Sequence, residues 1–136
     1  MAGYARSAHD YARHGIDTII VERANDDVED LQTAIAFARG AARQYGKTWG
    51  IDLSLWWGVI YGCVPDLDPS LYTRHLWIAW LSGARVLRIE GGMIHYGPSG
   101  PGAVARAIDA FGSLARDLDP GTPDVPVAVI LAEDHG

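Results

Sequence analysis

Hydrophobic residues follow two different periods along this chain. In four stretches the apolar positions recur every three or four residues, which predicts amphipathic helices. These stretches are residues 4–14, 25–45, 69–82 and 104–118. β-Branched or strictly alternating runs follow the helical stretches and predict strands. They lie near residues 18–22, 50–56, 85–90 and 126–132.

The predicted order αβαβαβαβ defines the fold class. Strands that alternate with long helices imply parallel pairing and right-handed crossovers, so an α/β fold with an alternating (αβ)4 plan is expected. A (β/α) barrel and an open doubly wound sheet both fit. The first strand continues directly into VERAND without a phosphate-binding glycine loop, which disfavours the nucleotide-binding open sheet.

Chain length refines the barrel prediction. A closed (β/α)8 TIM barrel takes about 250 residues, whereas this chain has 136. Four units correspond to half of such a barrel, so we expect residues 1–136 to be a single partial barrel domain and a fragment of a longer barrel. An isolated half would leave sheet edges open, and self-association through those edges is expected.

The stretch KTWGIDLSLWWG has two unlike faces. Its alternation places aliphatic side chains on one side of a strand, and Asp52, Ser54 and Trp56 on the other. A carboxylate, a hydroxyl and an indole in one row are unusual for a purely structural strand. In parallel α/β folds, sites form at the carboxyl ends of the strands, which is where this row lies.

Other strand ends are acidic as well. Glu22 closes the first predicted strand and Glu90 the third, where Arg88 shares the face of Glu90. Burying Arg88 and Glu90 is costly unless they pair or line a wet pocket. A structural Arg–carboxylate pair and a ligand site both satisfy that condition. Asp52, in the middle of its strand, is expected to orient a neighbouring group.

The aromatic residues divide by position. Trp56 and Trp57 stand where a strand enters a loop, and they could stack on a sugar ring or could serve packing. His95 and Tyr96 follow Glu90 in a glycine-rich loop, as ligand contacts or as surface residues. The helical pair Trp77 and Trp80 is expected to pack. These last two residues lie three apart in the sequence.

Composition excludes several classes of function. The formal charge is −6 with scattered basic residues, which argues against a nucleic-acid partner. No apolar run is long enough to span a bilayer, and MAGYARSAHDYARHG has no continuous signal-peptide core. The single Cys63 allows no internal disulfide. No metal-ligand spacing and no nucleophile-elbow serine appear, so no metal and no cofactor are expected.

Three segments together resemble a known family. AFARGAARQYGKTWGIDLSLWWG, YTRHLWIAWLSGARVLRIEGG and GTPDVPVAVILAEDHG resemble the C-terminal half of the catalytic barrel in glycoside-hydrolase-like proteins, the group that includes β-galactosidase-type enzymes. In that resemblance the last segment closes the barrel or begins a following domain.

The resemblance implies hydrolysis of glycosidic bonds by two carboxylates. Glu90 and Glu22 are then the catalytic candidates, and a carbohydrate is the expected ligand. Asp52, Ser54, Trp56, Trp57, Arg88, His95 and Tyr96 are the candidate substrate-binding residues. If residues 85–90 form the seventh barrel strand, Glu90 is the nucleophile. If they form the eighth, Glu90 lines a subsite and Asp52 becomes the candidate nucleophile.

Two other functions are also compatible with the sequence. The chain could bind carbohydrate without catalysis, or act as a scaffold or an inactive barrel fragment. An α/β enzyme acting on nucleotides or acyl groups would need a glycine loop or an activated nucleophile, and the sequence shows neither.

Overall fold

The computed structural model of the chain describes residues 2–3, 5–24, 31–54, 69–90, 96–97, 100–130 and 132. A 3₁₀ turn at Ala5–Ser7 precedes the first helix. The helices are α1 (Ala8–Arg13), α2 (Leu31–Tyr45), α3 (Pro69–Leu81) and α4 (Ala103–Arg116). The strands are β1 (Ala2–Gly3), β2 (Thr18–Ala24), β3 (Thr48–Ser54), β4 (Val86–Ile89), β5 (Tyr96–Gly97) and β6 (Gly100–Pro101).

The main sheet is parallel and its strands follow chain order. β1, β2, β3 and β4 lie side by side in that order, while β5 and β6 form a separate antiparallel pair. The predicted α/β class with parallel strands is therefore confirmed. Each strand lies beside its predecessor, so right-handed crossovers place the connecting helices on one face.

The hydrophobic core lies between this face of the sheet and the helices that cover it. Ile19 and Val21 of β2 and Ile51 and Leu53 of β3 are all 0% exposed, and alternation places these four side chains on one side of the sheet. The buried stripe of α2 consists largely of alanine. Small side chains let a helix lie close to the strands, which is why α2 contacts both β2 and β3.

Aromatic rings join the last two helices. The ring of Trp77 in α3 lies 4.9 Å from Phe111 of α4 and 5.5 Å from Trp80, in edge-to-face arrangements. Such pairs add about 0.5–1.5 kcal/mol beyond the area they bury. The prediction that Trp77 and Trp80 serve packing is confirmed.

Gly50 fixes how closely β3 approaches β4. A Cβ on Gly50 would lie 2.3 Å from the carbonyl oxygen of Val86 and 2.6 Å from its Cβ. Real Cβ atoms do not approach other atoms this closely, so any larger residue would push the two strands apart. The glycine therefore sets the spacing of β3 and β4 where their pairing begins, at Gly50 and Val86.

Three of the four predicted strands form with small changes in their ends. The predictions near residues 18–22, 50–56 and 85–90 correspond to β2, β3 and β4. Pro69, predicted at the first helical position, is the first residue of α3. In the described parts of the chain, no helix is both long and apolar enough to cross a membrane.

The predicted strand near residues 126–132 differs from the structure. Residues 118–130 are irregular, and Val127, Val129 and Ile130 are 75%, 80% and 96% exposed. A β-prone sequence becomes a strand only where a neighbouring strand supplies hydrogen bonds and packing. In this structure the segment PVAVI has the composition of a strand but does not form one.

Candidate functional site

Three charged side chains form one row across the sheet, at the carboxyl ends of the strands. Glu22 of β2 pairs in register with Asp52 of β3, and Asp52 pairs with Arg88 of β4. Residues directly opposite each other in a parallel sheet point to the same face. This face lies opposite the core residues Ile51 and Leu53, so the row faces away from the helices.

The centre of the row is an ion pair. Arg88 Nη1 donates a hydrogen bond to Asp52 Oδ2. The Asp52 side chain is 1% exposed, whereas that of Arg88 is 50% exposed. The guanidinium thus lies over a buried carboxylate with half of its surface in water. A pair of this kind compensates for the burial of Asp52 and still leaves an accessible cationic surface.

Two polar atoms beside this pair have no hydrogen-bond partner among the described residues. They are Asp52 Oδ1 and Ser54 Oγ, and both residues are essentially inaccessible. Buried polar atoms are nearly always bonded, so each unbonded atom needs an explanation. Asp52 and Ser54 lie two residues apart on the same face of β3. Together they are an acceptor and a hydroxyl, side by side on one strand, that the described residues leave unbonded.

Glu90 extends the site beyond the end of β4. Its backbone N–H donates to the Leu53 carbonyl at 3.2 Å, which continues the ladder by one step and keeps Glu90 on the face of Arg88. Strand spacing places the Cα atoms of Glu22 and Glu90 about 12 Å apart, from two strand spacings across and two residues along. Glutamate side chains turned toward each other can close that gap to about 5–9.5 Å, the range of glycosidase carboxylate pairs.

The remaining predicted contacts fall on other parts of the chain. Trp56, Trp57 and His95 lie outside the described residues, and Tyr96 is described only as a backbone position of β5. The structure therefore brings Glu22, Asp52, Ser54, Arg88 and Glu90 together at one edge. Within the described ranges, no group of three or more His, Cys, Asp or Glu side chains could hold a metal ion.

The partner of Arg88 could not be read from the sequence. In the sequence, the nearest candidate partner of Arg88 is Glu90, two residues away on the same face. The structure instead pairs Arg88 with Asp52, 36 residues earlier in the chain. Only the register between β3 and β4 reveals this pairing. The sequence did indicate that Asp52 needs a partner, because it is a carboxylate in the middle of an otherwise apolar strand.

Tyr72 of α3 is a further buried titratable group. Its side chain is 0% exposed, and burial raises the pKa of the Tyr72 phenol to about 12. The shift follows from the cost of placing a phenolate where water cannot reach it. Tyr72 therefore stays neutral through the physiological range and belongs to the packed part of the protein.

Comparison of the chain with protein-family models, with curated proteins and with solved structures finds no match.

Proposed function

We propose that the carboxyl edge of the sheet is a carbohydrate site, and that its activity is the hydrolysis of a glycosidic bond. The observation that carries this proposal is the row Glu22–Asp52–Arg88 together with the unbonded buried atoms Asp52 Oδ1 and Ser54 Oγ. Sugars present many hydroxyls, each of which both donates and accepts hydrogen bonds. Acceptors and donors held at fixed spacing along one strand suit such a ligand.

The strand order and the two unlike faces of the sheet support the same proposal. Parallel strands in chain order, with the core on one face and polar side chains on the other, are also found in the wall of a (β/α) barrel, and this agreement supports the proposal. We propose that the sheet is half of a (β/α)8 barrel whose lumen faces the charged row. In that arrangement the carboxyl edge of β2, β3 and β4 becomes part of the mouth where barrel enzymes place their sites.

Each side chain has a defined role in the proposed reaction. Glu90 and Glu22 flank the bond, one protonating the leaving oxygen and the other attacking the anomeric carbon or activating water. Asp52 binds a sugar hydroxyl through Oδ1 while its other oxygen is held by Arg88. Ser54 supplies a second hydroxyl contact deeper in the site. Arg88 fixes the orientation of Asp52 through their ion pair.

Chromogenic glycosides test the proposal directly. The parent chain is expected to release p-nitrophenol from at least one of a panel of p-nitrophenyl glycosides that includes the β-galactoside. Glu90→Gln should lower kcat by about 10²–10⁴-fold, because an amide can neither attack nor exchange a proton. Asp10→Asn is the control, since Asp10 is an exposed carboxylate on α1, away from the charged row.

The second candidate is carbohydrate binding without catalysis. The observation that favours it is the engagement of Asp52, the most buried carboxylate of the row, by Arg88. Binding of galactose or oligosaccharides with no hydrolysis by either the parent or Glu90→Gln would select this function. Neither binding nor hydrolysis of any sugar in the panel would contradict both candidates.

A further inference from the structure

We draw no further inference here: the strongest candidate, the exposed hydrophobic surface of the last two helices at Ile78 and Leu81 of α3 and Leu114 of α4, carries none because nothing in the described part of the chain shows what covers it.

Discussion

Asp52 is the side chain whose burial most needs an explanation. A carboxylate at 1% exposure is stable only with a partner, and Arg88 is the partner that the structure provides. The pair is asymmetric, because the cation is half in water and the anion is not. Removing the cation therefore leaves a buried charge, whereas removing the anion leaves a solvated one.

Arg88→Met should lower the free energy of unfolding by about 2–3 kcal/mol, somewhat below the usual cost of breaking a fully buried pair because water reaches Arg88. The comparison variant is Arg85→Met, an exposed arginine just before β4, which should change stability by less than about 0.5 kcal/mol. Urea denaturation measures both. Adding Asp52→Asn to Arg88→Met should recover part of the loss, and equal stability of the two single variants would refute the role given to Arg88.

The raised pKa of Tyr72 predicts that the folded chain loses stability in alkali. Its pKa is about 12 in the folded chain against an ordinary value of 10.0, so the folded state holds the proton more tightly than the unfolded state. The contribution of Tyr72 to the free energy of unfolding is complete below pH 10. It is lost as the pH rises toward 12, by up to about 2 kcal/mol.

Urea midpoints measured from pH 8 to pH 11.5 check this prediction. Tyr72→Phe cannot ionise, so its stability should fall less steeply above pH 10 than that of the parent. Tyr45→Phe, a change at a half-buried tyrosine at the end of α2, should keep the parent's steep decline. Parallel curves for the parent and Tyr72→Phe would show that Tyr72 is not the group responsible.

The pairing of β3 with β4 depends on one glycine. Gly50→Ala places a methyl group against the Val86 backbone, and backbone cannot move aside as a flexible side chain can. The substitution should cost about 3 kcal/mol or more, or prevent folding. Gly40→Ala in α2 is the matched control, because a Cβ there meets no atom within 4 Å.

Gly40→Ala should raise the free energy of unfolding by about 0.5–1 kcal/mol, since alanine loses less backbone entropy in a helix than glycine does. Thermal denaturation of the soluble fractions compares the two variants. A Gly50→Ala variant as stable as Gly40→Ala would mean that β3 and β4 can separate freely.

Periodicity in the sequence was sufficient for the elements with a buried face. β2, β3 and β4, and the helices α2, α3 and α4, all follow apolar periods that burial enforces. The strand near residues 126–132 has the same local pattern, and the pattern cannot report whether a neighbouring edge is occupied. Local sequence predicts what a segment can form, and the formed structure depends on its partner.

The site was predictable as a set of residues but not as an arrangement. Acidic strand ends identified Glu22 and Glu90, because parallel strands bring their carboxyl ends to one edge. A carboxylate within an otherwise apolar strand identified Asp52. The pairing of Arg88 with Asp52 required the register between β3 and β4, which Gly50 helps to set. No single-segment pattern contains that information, so the sequence left Arg88 with Glu90 as the nearest candidate.

Charge in the whole molecule favours certain ligands over others. The chain has a formal charge of −6, and among the described residues of the charged row and its extension, Glu22, Asp52 and Glu90 are anionic and Arg88 is cationic. The field around the site is therefore negative, which attracts cations and repels anions. An oxocarbenium-like transition state carries developing positive charge, so the same field suits the proposed hydrolysis.

This field predicts an order of affinity among sugars of one shape. A protonated iminosugar of the galactose series should bind most tightly, neutral galactose less tightly, and galacturonate most weakly. Calorimetry at 20 mM and 500 mM salt should show the differences shrinking at high salt, because mobile ions screen charges in an accessible site. Glu90→Gln should reduce the preference for the iminosugar by roughly tenfold, while Asp10→Asn should leave it unchanged. Tightest binding of galacturonate would mean that Arg88 governs recognition, and the carboxylates would then be structural.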